Sequence, residues 1–137
     1  MNLKKTNLYF GLALFLIFLA TGYYMKTSFK PEHLDQHVMR MQIRANHIYI
    51  LFVALLNVLA YKCDLTSASK RSTGIDLGFR LLLLSAGALS LVAFCTEHSG
   101  NLNLRTWTLF TVILSLAAIG LLLLNEAFEW VFVKKKK

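Results

Sequence analysis

The sequence predicts an all-α integral membrane protein: a four-helix transmembrane bundle with a long amphipathic N-terminal extension on helix two. Three observations carry that prediction. The 137 residues are 56% hydrophobic and only 16% charged. The apolar residues are gathered into four blocks, Leu8–Tyr24, Ile48–Tyr61, Leu81–Cys95 and Thr106–Leu124, and are not interleaved with polar ones. After its opening proline, the stretch Pro31–Lys62 passes without glycine or proline from a charged, histidine-bearing half into nearly pure hydrocarbon. A spanning helix takes about 20 mostly apolar residues, within a range of roughly 17–25. The first and last blocks meet that directly. The middle two do so once Ala45–His47 and Leu77–Arg80 are admitted, which places spans near 7–25, 44–62, 77–96 and 105–126 of a single transmembrane domain. Strands of a membrane barrel would alternate apolar and polar residues, and these blocks do not.

The first span opens behind Lys4 and Lys5 and ends in Ala20-Thr21-Gly22 followed by Tyr23 and Tyr24. Small residues there resemble a signal-peptide cut. The apolar run is longer than such a peptide needs, and the tyrosine pair fits an interfacial belt, so an uncleaved span is expected. Pro31-Glu32 is a good helix opening, because proline is pre-organised for the first helical position and an early carboxylate suits the helix dipole. One helix from Pro31 to Lys62 would be about 48 Å long against a ~30 Å hydrocarbon core, so about a third of it must lie outside or along the interface. On that part His33, His37, Arg40, Arg44 and His47 fall on one stripe at 100° per residue. Cys63–Asp76 is a polar loop of turn composition. The third span carries Asp76 and Arg80 at ion-pair spacing and a small-residue centre, Ser85–Ser90, suited to close helix approach. The fourth stays uncharged to Leu124 and closes with Asn125, Glu126, Glu129, Trp130 and Lys134–Lys137.

A net charge of +8 would suggest nucleic acid in a soluble chain. Here the cations lie almost wholly between and beyond the spans, so anionic lipid is the expected partner and nucleic acid is not. Of fifteen Lys and Arg, ten (Lys4, Lys5, Lys62, Lys70, Arg71, Arg80 and Lys134–Lys137) share the side of the termini and the second connection. The positive-inside rule then predicts both termini in the cytoplasm of a bacterial inner membrane. Cys63 and Cys95 fall on opposite sides of a ~30 Å layer, far beyond the ~7 Å reach of a disulfide.

Three constellations are candidates for function. Arg40, Arg44, Asn46 and His47 meet where helix two enters lipid. Arginine forks match phosphate and carboxylate, while snorkelling to headgroups is the plainer reading. An ionisable side chain at membrane depth makes His47 the first residue to test. His33, His37, His47 and His98 are the imidazoles available for a metal or haem iron, with Glu97 beside His98. Arg80 and Glu126 are expected as an intramembrane polar pair, a structural salt bridge before a proton relay. Asn57, inside span two, reads as a hydrogen-bonding glue residue. No Walker loop, nucleophile elbow, CxxC, CxxCH or HExxH pattern occurs.

With its four spans, its length, and Arg40, Arg44 and Asn46 just before span two, the chain also resembles the membrane-associated eicosanoid and glutathione metabolism proteins. That resemblance implies a membrane enzyme in which these arginines and the asparagine help bind glutathione. The acidic residue that family carries beside the asparagine is replaced by His47-Ile48. The sequence therefore supports a small polytopic inner-membrane protein, first as a non-enzymatic binding or accessory protein using the His/Arg stripe at the outer interface. The alternatives are a glutathione-transferase-like or haem- or metal-binding membrane protein and an oligomeric ion or small-solute transporter. A homo-oligomer or larger membrane complex fits each of them, and no cofactor is specified.

Overall fold

The computed structural model describes residues 3–29, 32, 35–63, 70–97 and 105–132, and the side chains of all of these except 70–73 and 129–132. Helix α1 runs Leu3–Tyr24 and widens into a π-helical turn, Met25–Phe29; α2 is His37–Ala60, α3 Lys70–Thr96 and α4 Thr106–Phe132. No strand occurs among the described residues. All four helices are long and apolar enough to cross a bilayer, so the chain is a multi-pass membrane bundle. Backbone satisfaction inside each helix is what makes such spans possible where no water is present.

The bundle has a central pair and two flanks. α2 packs on α3, α1 lies chiefly on α2 and also reaches α3, and α4 lies chiefly on α3. One apolar cluster joins Leu14 of α1 to Ile50 and Ala54 of α2, with Phe10, Phe18 and Leu91 against them. A second joins Ala60 of α2, Phe79 and Leu83 of α3 and Ala118 of α4. The outward faces of α1 and α4 carry exposed Tyr9, Leu16, Leu109, Leu116 and Leu124, as expected of surfaces solvated by acyl chains.

Small residues fix how close the helices come. A Cβ on Gly11 would stand 2.9 Å from the Ala54 carbonyl oxygen and 2.9 Å from the Val58 amide nitrogen, so the α1 backbone rests directly on that of α2. A Cβ on Gly87, in the expected small-residue centre of α3, would stand 2.8 Å from Leu14 Cδ1. Dispersion and close approach replace the hydrophobic drive that lipid does not supply.

Helix two is shorter than the sequence suggests. It begins at His37, not Pro31, and ends at Ala60. Gln36 is non-helical at φ −97°, ψ 70° and Asp35 lies in a turn. Glu32 is itself helical, so the single helix expected from Pro31 to Lys62 does not run unbroken through Asp35–Gln36. The amphipathic extension therefore comprises the first two turns of α2, His37–Arg44.

Replacing Gly11 with leucine should lower stability in detergent by roughly 1–3 kcal/mol through overpacking. Gly120→Ala, where an added Cβ meets nothing within 4 Å, should leave the melting temperature unchanged. Equal losses at both positions would refute the close α1–α2 approach.

Candidate functional site

The π-helical turn at the end of α1 and the first two turns of α2 enclose a cleft of ≈ 230 Å³. Its walls are Met25, Phe29 and Ile43, and its cations are Lys26, Arg40 and Arg44, with Gly22 at one edge. The turn brings Lys26 and Phe29 under α2, and Phe29 is buried. Widened turns of this kind recur at functional sites because they re-aim side chains that a regular helix would point elsewhere. On α2, Arg40, Ile43 and Arg44 lie at i, i+3 and i+4 and so share one face. Tyr23 and Tyr24 of α1, next to Gly22 and Met25, are exposed. Among the described residues the lining holds three cations and no carboxylate.

His47 sits one turn further along α2, half-buried against α1. Its ring stacks on Phe18 with centroids 4.1 Å apart and planes at 17°. Nδ1 lies 3.0 Å from Thr21 Oγ1. A Cβ on Gly22 would stand 3.3 Å from the imidazole Cε1 and 3.5 Å from Nε2. Phe18, Thr21 and Gly22, at i, i+3 and i+4 on α1, thus form a seat for the ring, and Gly22 belongs both to that seat and to the cleft.

Asn46 leaves the expected ligand set. It is 1% exposed, and its side chain is fully engaged inside the bundle. Nδ2 donates to the carbonyls of Ala93 (3.0 Å) and Glu97 (3.2 Å). Oδ1 accepts from Arg105 Nη2 at 2.8 Å and lies 3.0 Å from the Thr108 hydroxyl, whose one proton is shared between it and the Glu97 carboxylate. Two donors and two acceptor sites are all a carboxamide has. Glu97 is likewise engaged: its carboxylate accepts the Trp107 and Thr108 backbone N–H groups and the Thr108 hydroxyl, capping the start of α4. These contacts tie α2, α3 and α4 together beside the cleft.

The expected pairing of Arg80 with Glu126 is replaced by another. Arg80 is wholly buried, its Nε lies 3.0 and 2.9 Å from the two Asp76 oxygens, and Nη1 and Nη2 donate at 2.9 Å to the Ala60 and Cys63 carbonyls. A guanidinium so placed closes the C-terminal end of α2, where carbonyls lack helical partners. Asp76, one turn back on the same helix, is within reach without ordering a second element, whereas Glu126 is exposed. Asn57 donates to the Val53 and Leu83 carbonyls and accepts from Asn7 Nδ2 at 2.7 Å. Asn57 and Arg80 are thus joints between helices.

The histidines are not brought together. His37 is exposed at the first position of α2, and ten residues of helix, about 15 Å, separate it from His47. His33 and His98 lie outside the described residues. No group of three or more His, Cys, Asp or Glu among the described residues is placed to hold a metal ion. Sequence reasoning found Arg40, Arg44 and His47 but passed over Gly22, Lys26, Phe18 and Thr21. Phe18, Thr21 and Gly22 share a face at helical spacing on α1, which is the signal that would have found the seat.

No protein-family model, curated protein or solved structure matches the chain, the eicosanoid and glutathione metabolism family included.

Asn46→Ala should destabilise the protein by about 2–3 kcal/mol, since it leaves buried partners unpaired, while leaving ligand affinity at the cleft unaltered in the folded fraction. Arg80→Ala should cost roughly 3 kcal/mol and Glu126→Gln less than about 0.5 kcal/mol. Thermal melts of the three purified variants check both statements, and a large loss at Glu126 would restore the pairing expected from sequence.

Proposed function

We propose that this protein is a non-enzymatic binding protein of the membrane that holds an anionic amphiphile in the cleft between α1 and α2. The observation that carries the reading is the composition of the cleft: Lys26, Arg40 and Arg44 around walls of Met25, Phe29 and Ile43. Cations alone would suit any anion. Paired with apolar walls at headgroup level, they suit a phosphate or carboxylate attached to hydrocarbon. The charge distribution supports placing the termini in the cytoplasm and the cleft on the outer face of a bacterial inner membrane. The internal engagement of Asn46, Asn57 and Arg80 favours binding at the cleft over transport through the bundle.

Native mass spectrometry of the protein released from mixed phosphatidylglycerol and phosphatidylcholine membranes tests this. Anionic lipid should be retained at a stoichiometry near one, and a Lys26→Ala, Arg44→Ala double variant should lose about tenfold or more in retention, from two charge-assisted contacts of ~1 kcal/mol or more each. Indiscriminate retention of both lipids by the parent protein would overturn the reading.

A further inference from the structure

The cations that line the cleft are of two kinds. Arg40 is half-buried and already has a partner within the chain, so no ligand contact is assigned to it. Lys26 and Arg44 are exposed, and neither side chain has a partner among the described residues. They reach the cleft from different elements, Lys26 from the π-helical turn and Arg44 from α2. With no carboxylate in the described lining, they present two uncompensated positive charges to whatever enters.

Two such charges are matched by two negative ones. A phosphodiester carries one, whatever its headgroup alcohol, whereas a phosphomonoester carries about −1.5 to −2 at neutral pH. The donors lead to the same class by another route. An arginine fork takes two oxygens at once, and a lysine ammonium takes a third. A phosphomonoester has three terminal oxygens, and a diester has only two that are free. Volume sets a further bound. At ≈ 230 Å³ the cleft is smaller than the roughly 300–1,000 Å³ of pockets that enclose a drug-sized ligand, so it takes a headgroup and leaves the acyl chains outside. We infer that the cleft takes a phosphomonoester headgroup, that of a lipid of the phosphatidic acid class, held between Lys26 on the π-helical turn and the fork of Arg44 on α2. The inference rests on the anion-binding reading above and names its headgroup class. The apolar walls Met25, Phe29 and Ile43 assign the ligand to the lipid phase, with a soluble phosphomonoester as the competing source.

The test compares phosphatidic acid with phosphatidylmethanol, in which one methyl group makes the monoester a diester and removes one charge and one free oxygen. Nanodiscs hold equal amounts of both in phosphatidylcholine at about pH 8, where the monoester is close to doubly charged. The intact protein should retain phosphatidic acid about tenfold over phosphatidylmethanol, the equivalent of one charge-assisted hydrogen bond. Lys26→Ala should collapse that ratio while Arg44 keeps both anionic lipids preferred over phosphatidylcholine. Arg44→Lys, which keeps the charge and gives up the fork, should lower the ratio, and an unchanged ratio there would overturn the three-oxygen geometry. Lys62→Ala removes an exposed cation just beyond the far end of α2 and should leave the ratio as it is. An equal fall in that variant would overturn the assignment to the cleft. Equal retention of the two anionic lipids by the intact protein overturns the phosphomonoester class and leaves the cationic cleft standing. Absence of preference for either over phosphatidylcholine overturns the anion-binding reading itself. Displacement of bound phosphatidic acid by glycerol phosphate would identify a soluble ligand and overturn the lipid assignment.

Discussion

A polar side chain inside a bilayer has no water to fall back on, and an unsatisfied group there costs several kcal/mol. This constraint organises the whole bundle. Asn46 donates to the Ala93 and Glu97 carbonyls and accepts from Arg105, beside the Thr108 hydroxyl of α4. Arg80 spends its guanidinium on Asp76 and on the open carbonyls at the end of α2. Asn57 binds the Leu83 carbonyl and pairs with Asn7 of α1. Each joins two or more helices, so the polar residues act as fasteners where the apolar surface supplies little preference for protein over lipid. Asn7 Oδ1 and Arg105 Nε are the described buried side-chain atoms left without a partner.

The same constraint separates structure from function. Groups that the fold needs are turned inward and satisfied. Lys26, Arg40 and Arg44 line the cleft between α1 and α2. The π-helical turn links the two roles. By carrying α1 one wide turn further, it seats Phe29 in the interior and places Lys26 in the lining of the cleft against α2. The cleft thus depends on one local departure from regular helix.

Blocks of uninterrupted apolar residues made the number and class of the helices legible in the sequence, as did Arg40, Arg44 and His47 as places of interest. The i, i+4 spacing of Asp76 and Arg80 was legible too, and it proved the pairing that matters; Glu126 competed for Arg80 only because the sequence does not reveal which face of α4 meets α3. Asn46 misled because a polar residue at the edge of a span reads alike whether it faces a ligand or a neighbouring helix. Only the positions of Arg105 and Thr108, about sixty residues away in the chain, distinguish the two. The contribution of α1 was the least visible. Lys26 looked like a topology charge, and Phe18, Thr21 and Gly22 look like ordinary span residues until α2 is laid against them. The helical break at Asp35–Gln36 carries neither glycine nor proline, so no residue type in the sequence marks it.

The central claim is that charge in this bundle divides into cations that serve the fold and cations that meet a ligand phosphate. Solid-state NMR on the 15N-labelled protein in phosphatidylglycerol bilayers, measuring dephasing of side-chain nitrogens by 31P, reads that division directly. The Lys26 ammonium and the Arg44 guanidinium should dephase strongly, and the Arg80 guanidinium, enclosed by Asp76 and two carbonyls, should not. Strong dephasing at Arg80, or none at Lys26 and Arg44, would contradict the account.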